Sequence, residues 1–87
     1  MNETAYIINA NESLPYHIGL VVIAVETIRA KEDKRMTDWL AIVDADGTEG
    51  IIELANELLN FDIHDQESAT EFLFDGAYEA WAAAQGE

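Results

Sequence analysis

Residues 13–28, which read SLPYHIGLVVIAVETI, decide the fold because they form the most apolar stretch of the chain. Ser13 can cap a helix, and Pro15 falls in its first turn, where a missing backbone N–H costs nothing. Apolar side chains then recur every three or four residues, which is the spacing of one helix face. These periodic residues are Leu14, Ile18, Val21, Val22, Val25 and Ile28.

The same stretch is also compatible with a buried strand. Its β-branched residues favour extended backbone, and Leu20, Ile23 and Ala24 make the opposite side apolar as well. The short β-prone segment Thr4–Asn9 could pair with a strand at Ile18–Val25, which would give an α+β fold. The length of the stretch and its capping residue favour a helix, so we predict an all-α fold with a short extended N-terminal segment.

Three further helices are predicted downstream, each with its own start or stop signal. Thr37 opens the second helix, Gly47 ends it, and Thr48 opens the third. Ser68 with Glu71 three residues on is the capping-box pattern that starts a helix. The predicted bundle has four helices, near 13–32, 37–45, 49–60 and 68–85. Its core is predicted to include Ile18, Val22, Val25, Trp39, Leu40, Val43, Ile52, Ala55, Leu59, Leu73 and Trp81.

The composition restricts the chain to one small acidic domain spanning residues 1–87. It has 4 basic against 18 acidic side chains, a formal charge of −14, and no cysteine. Without cysteine the chain forms neither a disulfide scaffold nor a zinc finger. The charge argues against direct binding to nucleic acid or to an anionic membrane surface, because both need Lys and Arg.

Targeting features are also missing from the sequence. The residues after Met1 lack the basic region of a secretory signal. The longest apolar run, Ile18–Val25, is far short of the roughly 20 residues that cross a bilayer. We therefore expect a cytoplasmic protein.

Nothing in the sequence matches a motif for catalysis. His17 and His64 are the only histidines, and neither has a nucleophile motif or a glycine-rich phosphate loop beside it. We interpret both as ordinary surface or cap residues. Asp44–Gly47 partly matches a calcium-binding EF-hand loop, but Ile42 stands where the first carboxylate ligand is needed. We therefore expect a protein that is not an enzyme and that holds no metal or cofactor.

The most unusual feature is the placement of acidic residues. Two rows of carboxylates repeat every four residues, on the side of each predicted helix away from its apolar stripe. Like charges at this spacing destabilise a helix by about a few tenths of a kcal/mol each, and no Lys or Arg follows Arg35 to relieve them. The first acidic row is Glu49, Glu53 and Glu57, and the second acidic row is Glu67, Glu71, Asp75 and Glu79.

Two interpretations of these rows remain open. One is a solvated acidic surface that keeps the protein soluble. The other is that carboxylates about 6 Å apart along a rigid helix resemble nucleic-acid phosphates and occupy a basic protein surface. Phe74 and Tyr78 border the second acidic row and would anchor a partner or a homodimer, unless their helix packs on two sides. The predicted partner-binding residues are therefore both acidic rows together with Phe74 and Tyr78.

In size, acidity and lack of catalytic motifs, the chain resembles the small phage-encoded inhibitors of bacterial defence, such as anti-CRISPR, anti-restriction and DNA-mimic proteins. It also resembles bacteriocin immunity proteins and antitoxins. The resemblance is one of composition, and it implies a non-enzymatic inhibitor that masks a basic, nucleic-acid-binding protein. The alternative is a small interaction or oligomerisation module in which the acidity serves solubility only.

Overall fold

Three helices account for most of the chain between residues 13 and 86, the part that the computed structural model describes. Helix α1 is Leu14–Ala30, a 3-10 turn follows at Lys34–Met36, and helix α2 is Thr37–Asn60. Helix α3 runs without a break through Gln66–Glu71, a π-helical segment Phe72–Ala77, and Tyr78–Gln85. The predicted all-α class is confirmed, with three helices rather than four.

The α+β alternative is wrong where the structure tests it. Ile18–Val25 lies inside α1, and no strand occurs within residues 13–86. The other proposed strand, Thr4–Asn9, lies outside the described residues. Ser13 takes the predicted N-cap position of α1 with extended backbone, although its side chain makes no capping hydrogen bond.

α1 is the helix against which α2 and α3 both pack. Its buried face is rotated from the predicted one, because Val22 is 45% exposed and Ile18 is only partly buried. This rotation includes His17 in the buried face; it is fully buried although its polar character excluded it from the predicted stripe. The buried residues of α1 are His17, Leu20, Val21, Ala24, Val25 and Ile28, which follow helical spacing without a gap.

α2 spans the two middle helices of the prediction. Gly47, the predicted stop, does interrupt the helical backbone, with φ 63° and ψ −138°, and α2 continues beyond it after a kink. Only glycine adopts this backbone region readily, because it has no Cβ to clash. Trp39 is buried before the kink and Leu58 after it, whereas the predicted core residue Ile52 is only partly buried. The kink therefore lets two apolar stripes face the same core.

α3 begins earlier than the capping-box pattern predicts. The carboxylate of Asp65 accepts a hydrogen bond from the Ser68 backbone N–H at 2.9 Å, so Asp65 is the N-cap in place of Ser68. Hydrogen bonding to the Ser68 N–H also lowers the pKa of Asp65. The earlier start places Glu67 within the first turn, where a negative charge interacts favourably with the helix dipole.

The π-helical segment Phe72–Ala77 changes which side chains of α3 face inward. A π-helix bonds each residue to the fifth one along, so it inserts one residue into the helical repeat. In an unbroken α-helix Tyr78 would lie about 140° round from Leu73. In the structure Ala69, Leu73 and Tyr78 are all buried, at spacings of four and then five residues.

Gly76 makes room for this arrangement of aromatic rings. A Cβ on Gly76 would lie 3.1 Å from the ring atoms of Phe72. That distance is tighter than ordinary van der Waals contact, so the Phe72 ring lies across the helix where a side chain would otherwise stand.

Within residues 13–86, no helix is both long enough and apolar enough to cross a membrane.

The kink at Gly47 gives a first prediction. Gly47→Ala should destabilise the protein by about 1–3 kcal/mol because alanine is strained at this φ and ψ. No atom lies within 4 Å of the added Cβ, so backbone strain is the cause. Gly19→Ala is the matched control, since Gly19 lies within α1 and its Cβ would also be unobstructed. That control should gain about 0.5–1 kcal/mol in chemical denaturation. Equal stability of the two variants would contradict the kink.

The Asp65 cap gives a prediction of pH dependence. Because the folded pKa of Asp65 is lowered, its stabilisation is present above the ordinary aspartate pKa and is lost as the pH falls through the lowered value. Asp65→Ala should therefore lower the melting temperature at pH 7 and differ less from wild type under strongly acidic conditions. Asp65→Asn is the control, because asparagine keeps a capping oxygen and removes the titration. If the Asn variant is as destabilised as the Ala variant at pH 7, the negative charge of the carboxylate, and not its capping oxygen alone, stabilises the fold.

Candidate functional site

Both acidic rows lie on the surface, on different helices. The first acidic row is on α2 and the second is on α3, and all seven side chains are exposed. None of the seven carboxylates forms an ion pair with any residue in the described range 13–86. The rows therefore present negative charge to solvent without a contact ion pair from this part of the chain, although Glu79, after Asp33, contributes to the raised pKa of Arg35.

The arginines are engaged with other acids. Arg29 makes two hydrogen bonds to Asp44, at 2.9 and 3.2 Å, which connect α1 to α2. Arg35 pairs with Asp33 at 2.8 Å beside the 3-10 turn. The hydrogen bond to Asp44 raises the pKa of Arg29, and the bond to Arg35 lowers the pKa of Asp33. Two of the four basic residues are thus committed to carboxylates outside the acidic rows.

A groove of about 660 Å³ separates the end of α1 from the first turns of α3; we call it the α1–α3 groove. Three members of the second acidic row line it, together with a predicted aromatic anchor. They share one face of α3, since positions 67, 71, 74 and 75 all line the same groove. The structure thus brings Glu67, Glu71, Asp75 and Phe74 to one concave surface.

The neutral polar side chains of this groove are already bonded to backbone carbonyls. Thr27 Oγ1 donates to Ile23 O at 2.8 Å, and Thr70 Oγ1 donates to Gln66 O at 3.0 Å. Gln66 Nε2 donates to Leu20 O at 2.9 Å, which also ties α3 to α1. The groups left to meet a ligand are therefore carboxylates, the amide oxygen of Gln66, the ring of Phe74, and the ammonium of Lys31.

Two members of the first acidic row, Glu53 and Glu57, line a different groove of about 340 Å³ between α2 and the second half of α3. Asp46, Trp39 and Trp81 line it as well. The two acidic rows therefore belong to two separate concave surfaces. Glu49 and Glu79 are exposed but line neither of these two grooves.

The two predicted aromatic anchors have different environments. Tyr78 is only 9% exposed and packs edge-on against Trp39, with ring centroids 6.4 Å apart, so it is a core residue. The prediction that it borders the acidic surface is wrong because the π-helical segment turns it inward. Phe74 is partly buried, and the Arg35 guanidinium lies 5.5 Å from its ring centroid.

A cluster of two histidines and an aspartate joins the start of α1 to the loop before α3. His17 Nε2 lies 2.9 Å from His64 Nδ1, and His64 Nε2 lies 3.0 Å from Asp62 Oδ1. His17 also approaches two carbonyl oxygens, Ser13 O at 2.8 Å and Ile63 O at 3.0 Å. The interpretation of His17 as a surface or cap residue is therefore wrong.

Three oxygens, Ser13 O, Ile63 O and Asp62 Oδ1, lie within hydrogen-bond distance of the ring nitrogens of the two histidines. Because His17 is fully buried, these contacts hold α1 against the loop before α3, and we call the cluster the clamp around His17. Sequence spacing carries no signal for it, since the two histidines are 47 positions apart.

Metal-ligating geometry is not found within residues 13–86, where no group of three or more His, Asp or Glu side chains is arranged to hold an ion. Asp44, which matches an EF-hand position in the sequence, bonds instead to Arg29. No protein-family model, curated protein or solved structure matches this chain. The residues and surfaces of the chain itself therefore carry the functional inference.

Proposed function

We propose that this chain is a non-enzymatic binding protein whose acidic rows mask a basic, nucleic-acid-binding surface of a partner protein. The observation that carries the proposal is that all seven row carboxylates are exposed and have no ion-pair partner within residues 13–86. Retaining like charges at four-residue spacing reduces helix stability, so solubility alone is a weak reason for their regular arrangement.

Electrostatics supports a basic protein rather than another class of partner. A net charge of −14 repels nucleic acids and anionic membranes and accelerates association with positively charged clefts. Carboxylates on helices are also held in place before binding, so little conformational entropy is lost when they meet a basic surface. An inhibitor of a defence nuclease, or of a similar nucleic-acid-binding enzyme, fits these properties.

The alternative function is an assembly module that pairs through aromatic rings on α3. It depends on Phe74 and Tyr78 as exposed anchors, and Tyr78 is buried while Phe74 is partly buried. The burial of these rings favours the charge-based proposal. Tyr78→Ala should consequently destabilise the fold rather than only speed dissociation from a partner.

Charge reversal in the acidic rows tests the proposal. Changing Glu53, Glu57, Asp75 and Glu79 to Lys should abolish binding to the partner while the helical circular dichroism spectrum is retained. The fold should survive because all four side chains are exposed and because the change relieves repulsion along each helix. Single reversals should slow association several-fold, since charges at an interface rim mainly set the association rate.

The partner is first captured from a lysate of the native source on immobilised protein, identified, and purified for kinetic measurements. A supporting result is a basic partner that wild-type protein displaces from DNA or RNA and that the fourfold variant fails to bind. The control reverses Glu26, Glu32 and Asp38, three exposed acids outside the rows and outside both grooves, and is compared with the row variant without the Glu79 change, so that both alter the net charge equally. Unchanged association by the row variant, or equal loss in both variants, would eliminate recognition by the acidic rows.

A further inference from the structure

The α1–α3 groove has the chemistry of a site for one type of side chain. We propose that it docks an arginine side chain of the basic partner, with the aliphatic stem and guanidinium along Phe74 and the charged end among the carboxylates of the second acidic row. This inference rests on the proposed function and specifies the part of the acidic surface that makes the first contact.

The groove combines an apolar lining with a charged edge. The hydroxyls of Thr27 and Thr70 and the amide of Gln66 donate to backbone carbonyls within their own helix or a neighbouring one. The lining of the groove as a whole is mostly apolar. A long side chain with an aliphatic stem and a positive end matches this combination, because it buries the stem and keeps its charge at the edge.

Phe74 already accepts a guanidinium within the protein. Arg35 Cζ lies 5.5 Å from the ring centroid of Phe74, within the range of a cation–π interaction. Phe74 also lines the α1–α3 groove, so part of its surface faces the space that a ligand would occupy. Arginine is favoured over lysine because its planar guanidinium stacks on aromatic rings and binds carboxylates with two parallel hydrogen bonds.

The groove keeps a net negative charge after carboxylates that already have a partner within the protein are set aside. Asp33 also lines it, but its carboxylate is bonded to Arg35. Glu67, Glu71 and Asp75 then stand against the single ammonium of Lys31. A cationic side chain gains from this excess, whereas an apolar peptide would desolvate the carboxylates without compensation.

Other occupants fit the groove less well. A second copy of this chain carries the same charge of −14, so close approach of two copies is opposed. A second copy could offer only the basic residues at positions 29–35 to the groove. That segment already lines the groove of its own copy, through Lys31 and Asp33. An arginine from a basic partner meets neither obstacle.

The test uses the full chain and a capped Gly-Arg-Gly-Arg-Gly peptide, with binding followed by NMR and calorimetry. Chemical shift changes should concentrate on the groove residues of α1 and α3. The variant Glu67→Gln, Glu71→Gln, Asp75→Asn should bind about tenfold more weakly, as the loss of three exposed ion pairs implies. The lysine version of the peptide should bind more weakly than the arginine version to wild-type protein.

Two controls separate the groove from general acidity. Glu26→Gln, Asp38→Asn, Asp46→Asn removes the same charge from exposed acids that do not line the groove, and it should bind the peptide within about twofold of wild type because distant exposed charges are screened. Phe74→Leu keeps the charge and an apolar side chain, and it should weaken arginine-peptide binding about two- to fivefold. Circular dichroism confirms that each variant is folded.

Several results would overturn the groove assignment. These are equal losses in the two charge variants, shift changes on the first acidic row instead, or no binding at millimolar peptide. A captured partner that requires Glu53 and Glu57 but tolerates the groove variant would also overturn it, while leaving the proposed function standing. If the peptide binds in the groove but no basic partner is recovered from the lysate, the proposed function is contradicted and the groove assignment stands.

Discussion

Burial of one face of α1 is the interaction on which the rest of the structure depends. α1 contains only two charged residues, Glu26 and Arg29, and both other helices pack mainly against it. α2 holds six acidic residues and α3 holds four, with no basic residue in either. Two helices of like charge are thus joined through a third that is nearly neutral. The five like-charge neighbours within the rows cost together about 1–2.5 kcal/mol, whereas burying the single side chain of Ile28 contributes about 1.5–3 kcal/mol.

Local sequence patterns predicted the helical class, the backbone change at Gly47 and the side of each helix that carries the acidic rows. They failed where a tertiary contact or an inserted residue alters the helix face. His17 is polar in the sequence but buried because backbone oxygens and His64 meet both ring nitrogens. Tyr78 is turned inward by a π-helical segment, which no 3.6-residue periodicity anticipates. The sequence patterns also did not predict the α1–α3 groove, because its shape depends on how two segments distant in the sequence pack together.

The uneven use of the basic residues links the fold to the proposed function. Arg29 connects α1 to α2 through Asp44, and Arg35 lies between Asp33 and Phe74. These interactions place positive charge where helices and turns join and leave the outer faces of α2 and α3 acidic. The stability of the fold therefore comes from apolar packing and from the clamp around His17, and the carboxylates of the rows remain available to a partner. Recognition by charge fits a surface of this kind because preorganised carboxylates need no rearrangement to meet a basic cleft.

Apolar packing on α1 holds together two helices whose acidic rows have no ion-pair partner within residues 13–86. The most direct measurement is the melting temperature at pH 7 as sodium chloride is raised from low concentration to roughly 0.5 M, where the screening length falls to about 4 Å. We expect a melting temperature that rises with salt, and a smaller rise in a variant with Glu67, Glu71 and Asp75 neutralised. A flat or falling melting temperature would show that the row carboxylates are already paired or too dispersed to repel one another, and would contradict the claim.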